Sequence, residues 1–283
     1  SSAASDVYKR QVIEDMDKNA EILQQIDEII KSNYVFLSKL MNKGELSQIG
    51  DNDSWRLFYS TYDEDSPLKM NWLFEIIKNL YEKSDFYQEE KKFTYEIKSK
   101  IPSFDNFQQV THKKIKLFTK DYEFYSFKDF GIYIWRNDNE YFSIRCGPVG
   151  QNGIGGHSHY DQLSIECFTG NSWIARDPGT GTYTDDIETR NKFRSLEYHW
   201  GPNTEIKFPK EDEFDCFKLN HMSDGEVLQF DKNNFLGFAN FAGKRIYRKI
   251  TINEGEVSIE DFSNDVELEE YISWGEQNNG IKV

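Results

Sequence analysis

Near residue 110 the spacing of apolar residues changes, and the change divides the chain in two. Before it, apolar side chains recur at three- and four-residue steps. Ile22, Leu23, Ile26, Ile29, Ile30, Leu37, Leu40 and Met41 stand among Asp, Glu, Lys and Gln, so residues 12 to about 43 read as one amphipathic helix, stopped by Gly44. A second helix is expected over about 71–83, with Trp72, Leu73, Ile76, Ile77 and Leu80 on one face, and a weaker third over about 88–98, before Pro102. After the change the period is two. Ile115/Leu117, Ile132/Ile134, Phe142/Ile144, Leu163/Ile165/Cys167, Ile250/Ile252 and Val257/Ile259 alternate with other residues, and turn signals such as Asn137-Asp138-Asn139, Gly170-Asn171 and Asn253-Glu254-Gly255 separate them. Short strands in this pattern, with no helices between them, predict an antiparallel sheet or sandwich rather than βαβ units.

Composition removes several classes of function. The 283 residues carry a net charge of −15, which argues against a non-specific nucleic-acid binder, since that needs clustered positive charge. An aromatic content of 16% is incompatible with a disordered acidic tail. No apolar run approaches the roughly 20 residues of a membrane-spanning helix. Cys146, Cys167 and Cys216 are far apart and form no CxxC pair, so neither a disulfide scaffold nor a cysteine zinc module is indicated. The first eleven residues, SSAASDVYKRQ, back-translate to a transposase-type sequencing adaptor and are set aside; without Asp6, Lys9 and Arg10, 48 acids face 32 bases, a net of −16. On that reading the chain is truncated at its N-terminus, and the C-terminus carries no stop-like punctuation either.

The densest chemistry lies in GGHSHYDQLSIECFTGNSWIARDPGTGTY and the RNKFRSLEYHW that follows. His157 and His159 are two apart, which on an extended segment points both imidazoles to one side. Asp177 and His199 follow, so three of the five histidines fall between 157 and 199. Two histidines and a carboxylate around an open position are the donor set of catalytic zinc, which predicts His159, Asp177 and His199 as ligands of a divalent metal, zinc first. The glycine-rich run 147–156 lacks a GxxxxGK[ST] string and leads into no helix, so it is not read as a phosphate cradle. A cupin-type site wants a Glu three or four residues after HxH; Glu166 is seven after His159. His112 and His221 read as ordinary surface or turn residues, Gly179 and Gly181 as turn glycines, and Tyr34 as core-facing.

Taken in order, GGHSHYDQLSIECF, ARDPGTGTY, RNKFRS and His199 resemble the C-terminal domain of the heparinase II/III family of polysaccharide lyases, whose members show GGHGHAD, a VDPGTYTY-like stretch, WRNYFRST and HNT. The upstream IGDNDSWR resembles that family's GD-x-D-x-R segment. The resemblance covers roughly residues 20–265. Two departures stand out: Ser158 replaces the glycine between the histidines, and HWGPNT inserts three residues between His199 and Asn203.

The resemblance implies an α+β multidomain fold, the C-terminal part of an α/α toroid followed by an antiparallel β-sandwich. The corresponding division is 1–11 adaptor-like, 12–107 helical remnant and 108–283 sandwich. It also implies cleavage of a uronic-acid-containing acidic polysaccharide by β-elimination, in a protein exported to the periplasm, cell surface or medium. The family's acid/base Tyr and its carboxylate-neutralising Asn or His would lie upstream of residue 12. By motif position His157 is then the candidate catalytic group, Arg190 and Arg194 candidates for substrate anions, and Asp161 a carboxylate orienting a motif histidine. The alternatives kept are a non-catalytic carbohydrate-binding sandwich with a structural metal, and a metal-dependent glycan hydrolase.

Overall fold

A computed structural model of the chain describes residues 20–51, 69–81, 88, 90–150, 153–182, 184–207, 210, 215, 217–219, 223–271, 273–275 and 282. It separates into two compact units, one of Ser1–Ser47 with Asp53–Thr94 and one of Gln48–Asn52 with Tyr95–Val283. Expectations that fall on residues 1–19, His221 and Cys216 lie outside the described residues.

In the first unit α1 (Ala20–Leu40) follows the predicted period, and the small core joins its Ile30 and Val35 to Leu73 and Ile77 of the second helix (Asn71–Leu80, α2 below). Tyr34 packs on Phe74, ring centroids 5.0 Å apart. The first helix ends at Leu40, three residues before the predicted limit, because the chain turns into a hairpin, β1 (Met41–Asn42) and β2 (Glu45–Leu46). Its turn holds Lys43 and Gly44 at φ of 48° and 87°, and a Cβ on Gly44 would stand 2.6 Å from Asn71 Nδ2. Gly44 is thus a turn residue rather than a helix stop. Then comes α2 (Asn71–Leu80). Of the third predicted helix only the start is seen: residues 88 and 90 are helical and run into a 3-10 turn at Lys91–Phe93, after which the chain extends into β3 (Ile97–Lys98). Phe93, Tyr95 and Ile97 already alternate at period two. Among the described residues these helices form no toroid.

The second unit is an antiparallel sandwich. After β3 come β4 (Gln108–Thr111), β5 (Ile115–Lys116), β6 (Glu123–Phe127), β7 (Ile132–Arg136), β8 (Tyr141–Arg145), β9 (Ile165–Thr169) and β10 (Ser172–Ala175). Then β11 (Gly225–Phe230), β12 (Asn234–Phe241), β13 (Lys244–Asn253) and β14 (Glu256–Ser263) complete it. One sheet is a five-strand meander ordered β10-β9-β8-β7-β6; the other is ordered β3-β11-β12-β13-β14-β4, with β5 also on β14. The inward faces meet in one aromatic-rich core, where Trp135 and Tyr133 of β7 lie 5.0 and 4.9 Å from Phe230 of β11. Cys146 and Cys167 are buried thiols of this core, and burial pushes the Cys146 thiol up to about 12. One helix does interleave, contrary to the sequence reading: α2 is followed by α3 (Ile187–Arg194), capped by Asp186, whose carboxylate accepts from the Glu188 and Thr189 backbone N–H groups.

A buried polar cluster ties β13 and β14 of the larger sheet to the loops that matter below. Arg248 on β13 faces Asp261 on β14 and makes two parallel bonds to it, Nε to Oδ1 and Nη2 to Oδ2, both 2.7 Å. Its Nη1 donates to the Leu163 and Trp200 carbonyls at 2.7 and 2.8 Å. His112, expected at the surface, is instead buried here: its Nε2 lies 2.8 Å from Asp261 Oδ2 and its Nδ1 accepts the Tyr271 N–H. Burial alone would raise the Asp261 carboxyl, but Arg248 and then His112 outweigh it and hold the group down to about 2. A depressed carboxyl contributes stability above its unfolded value of roughly 3.9 and loses it as pH falls through the folded value. The sandwich is therefore expected to lose stability between about pH 4 and pH 2, and Asp261→Asn should flatten that part of the curve in urea unfolding at stepped pH. An unchanged slope in the variant would assign the acid transition to other carboxylates.

Candidate metal centre

Four segments of the second unit converge on the motif histidines. His157 and His159 lie in the irregular chain between β8 and β9, not on an extended strand, and His157 has φ of 52°. The same-side argument for an extended HxH therefore fails locally, yet both rings reach one residue. That residue is Asp51, from the loop segment Gln48–Asn52. Its Oδ1 is 2.9 Å from His159 Nε2, and its Oδ2 is 3.2 Å from His157 Nδ1 and 2.5 Å from Arg190 Nη2. Burial would raise the Asp51 carboxyl, but His159 and Arg190 outweigh it and hold it far below the usual carboxylate range.

Asp177 follows β10, past a register shift between Trp173 and Ala175. Its Oδ1 accepts the Gly179 N–H at 2.8 Å, and its own N–H donates to Glu166 Oε1 at 3.3 Å. Gly179 sits at φ of 75°, so the predicted turn glycine is favoured by conformation, and a Cβ there would also push the end of the Gln48 side chain aside. His199 ends the 3-10 turn Leu196–Tyr198, and its Nδ1–H donates to the Ser195 carbonyl at 2.7 Å. The three-residue insertion after His199 leaves the ring in place.

His159, Asp177 and His199 each offer one donor atom, and the three atoms lie within 4.8 Å of one another, all buried. The hydrogen bonds fit a cation. With Nδ1–H on Ser195, His199 points Nε2 at Asp177 Oδ2, 3.1 Å away; protonated, that nitrogen faces the carboxylate as an ion pair, and as the neutral ring it carries a lone pair with no hydrogen-bond partner. His159 gives its Nε2 side to Asp51, and its buried Nδ1 has no hydrogen-bond partner. Buried nitrogens without partners are costly unless something electrophilic fills the gap between them and the carboxylate. A cavity of about 20 Å³, room for one small ion or water, opens beside Asp177 and His199 and is lined also by Asp161, Glu166, Arg145 and Gln48. Burial works to raise the Asp177 carboxyl, and the His199 and His159 charges reverse it, so the group is held below its usual range; conversely, burial would lower His199, and Asp177 raises it overall. Each group favours the charged state of the other.

The remaining predicted residues are placed differently. His157 is the exposed member, its side chain 60% accessible, with its ring 5.5 Å from that of Phe217. Arg190 and Arg194, expected to meet substrate anions, are both fully buried on α3. Arg190 is engaged by Asp51; Arg194 donates to the Asp215 and Lys218 carbonyls at 2.6 and 3.1 Å and so pins the loop opposite. Asp161, expected to orient a histidine, is 4.0 Å from Arg145 Nε instead and reaches His199 only through its charge. The carboxylate that meets both motif histidines is Asp51, which the sequence reading passed over although its IGDNDSWR motif had been noted.

The model of a family described as heparinase II/III-like, C-terminal, matches residues 119–200, which hold every motif residue of the site except Asp51. No curated protein matches the chain. Among solved structures, a heparinase III with methylated lysines shares 12% identity over 84% of this chain and 32% of its own, with a TM-score of 0.51. The heparan sulfate lyase HepC from Pedobacter heparinus gives 13%, 92%, 37% and 0.49, and another heparinase III gives 13%, 88%, 36% and 0.47. The chain spans about a third of the length of these solved relatives. Its β-sandwich is of the heparinase III kind, and over residues 119–200 the chain is similar to the heparinase II/III-like C-terminal domain.

Proposed function

We propose that this chain is the metal-bearing sandwich of a polysaccharide lyase that cleaves a uronic-acid-containing acidic polysaccharide by β-elimination, in a protein exported from the cell. The observation that carries this reading is the buried triad His159, Asp177 and His199, with two imidazole nitrogens lacking hydrogen bonds, in the segment similar to the heparinase-type domain. A divalent cation there, zinc first, would supply positive charge and a cross-link between three loops. In the elimination a base takes the C5 proton, the C4–O bond breaks, a C4=C5 double bond forms, and the leaving oxygen is protonated. His157 is the residue of this chain suited to the substrate: it is exposed, and with Nδ1 on Asp51 its Nε2 faces outward to exchange a proton. Neither buried arginine touches substrate in this reading. No helix among the described residues is long and apolar enough to cross a membrane.

One observation favours a second reading, a catalytically silent glycan-binding sandwich: all three ligands are buried, which suits a structural cation better than one touching substrate. Product chemistry separates the two. Purified protein, expressed with whatever coding sequence precedes residue 12, is offered a panel of uronate polysaccharides under ultraviolet and reducing-end assays. A rising ultraviolet signal from an unsaturated uronate supports the lyase; reducing ends without it indicate a hydrolase; binding without either product supports the silent sandwich. His157→Ala is expected to keep its metal while turnover falls about 10²–10⁴-fold. Loss of metal in that variant would mean that the two motif histidines have exchanged roles.

A further inference from the structure

Asp51 sits where one carboxylate touches both histidines of the HxH pair and Arg190. Besides the three side-chain contacts, its backbone N–H donates to the His157 carbonyl at 3.0 Å. The preceding Gly50 has φ of 62°, and a Cβ there would be 2.3 Å from that same carbonyl oxygen, so only glycine lets the loop come this close. The Asp51 side chain is 2% exposed and so has almost no access to solvent.

A carboxylate only accepts, which fixes which nitrogen of each ring carries the proton. His159 Nε2 lies 2.9 Å from Oδ1, an acceptor, and 3.5 Å from Arg190 Nη1, a donor; the shorter contact puts the proton on Nε2 and, in the neutral ring, leaves the lone pair on Nδ1, the buried atom that has no hydrogen-bond partner. His157 must donate from Nδ1 to Oδ2, which leaves its lone pair on the solvent-facing Nε2. Arg190 Nη2 shares Oδ2 and balances the buried charge. We propose that Asp51 is the positioning carboxylate of this site, setting opposite tautomers on two histidines: Nε2–H on His159, so that Nδ1 is free for a cation, and Nδ1–H on His157, so that Nε2 is free for substrate. The cation half of the proposal rests on the reading of His159, Asp177 and His199 as ligands; the tautomers do not.

The test uses the whole chain labelled with ¹⁵N-histidine and stripped of metal by a chelator. Long-range ¹⁵N–¹H correlation spectra, assigned with His157→Gln and His159→Gln, report the tautomer of each ring. The wild type is expected to show Nδ1–H at His157 and Nε2–H at His159. Nε2–H at His157 in the folded wild type overturns the proposal, and this arm needs no variant of Asp51. Asp51→Asn is expected to shift His157 toward Nε2–H and to weaken Co(II) or Zn(II) binding about 10–100-fold, read from the Co(II) absorption bands. Wild-type affinity and unchanged tautomers in Asp51→Asn overturn it as well. Metal binding that survives in His159→Gln unchanged would defeat the ligand assignment instead, and leave the tautomer result to decide on Asp51.

Discussion

Asp177→Ala is expected to leave the purified protein without a stoichiometric divalent cation, and His159→Ala to do the same. The three candidate donors come from separate segments: the chain before β9, the chain after β10, and the turn that follows α3. Removing one leaves two donors that no longer enclose an ion, and the wild-type advantage disappears in proportion to metal occupancy. At free zinc about 1,000 times its Kd, the wild type gains roughly 4 kcal/mol over its metal-free form, whereas either variant gains almost nothing. Metal content by elemental analysis, with urea unfolding at fixed free zinc, checks both. Equal metal content in the wild type and the two variants would sink the metal reading, whatever the activity assays show.

Arg248→Ala is the second change with a large expected effect, about 3–5 kcal/mol of lost stability. Removing one side of a buried ion pair leaves the other poorly compensated, here an Asp261 carboxylate that is 1% exposed and keeps only the His112 contact. The Leu163 and Trp200 carbonyls lose their donor as well. Replacing both partners with apolar residues of similar size, Arg248→Met with Asp261→Leu, should cost less than the single change, because no unpaired charge remains. Denaturant midpoints for the single and double variants test this. If the double variant is as damaged as the single, the cluster acts through shape rather than charge. Because Trp200 follows His199 directly, Arg248→Ala should also lower zinc affinity, a coupling that titration of the folded variant can read.

How much of this was visible in the sequence depends on what each element buries. The period-two strands β7, β8, β13 and β14 bury apolar faces, and alternation found them. The triad stood in recognisable motifs at fixed order. The helix α3 was invisible to apolar periodicity because its buried residues are Arg190 and Arg194, four apart. Those positions do share a helical face, but a buried guanidinium reads as surface in any hydropathy pattern. The same rule reads both arginines as exposed and puts His112 at the surface, whereas all three are buried. His112 is buried because Asp261, 149 residues away, receives it, and no local signal carries that distance. Asp51 is a loop residue with no periodicity at all. Its signal was the Gly50-Asp51 pair, a glycine before a carboxylate in a motif already noticed, and only the structure shows which carbonyl that glycine makes room for.

The detour of Gln48–Asn52 bears on how such proteins are cut and recombined. The chain leaves the helical unit for five residues, contributes to the sandwich, and returns before the sandwich proper begins at Tyr95. Modularity along the gene and modularity in space therefore disagree. A sandwich excised at residue 95, or swapped onto another helical partner at that junction, would keep every residue of the HxH-to-His199 motif and still lack Gln48, Gly50 and Asp51. Such a chimera would carry the complete signature with its histidines unheld, and its silence would say nothing about the donor protein. Grafts that bring the five-residue insert along, or that match it in the recipient, are the ones from which activity can be judged.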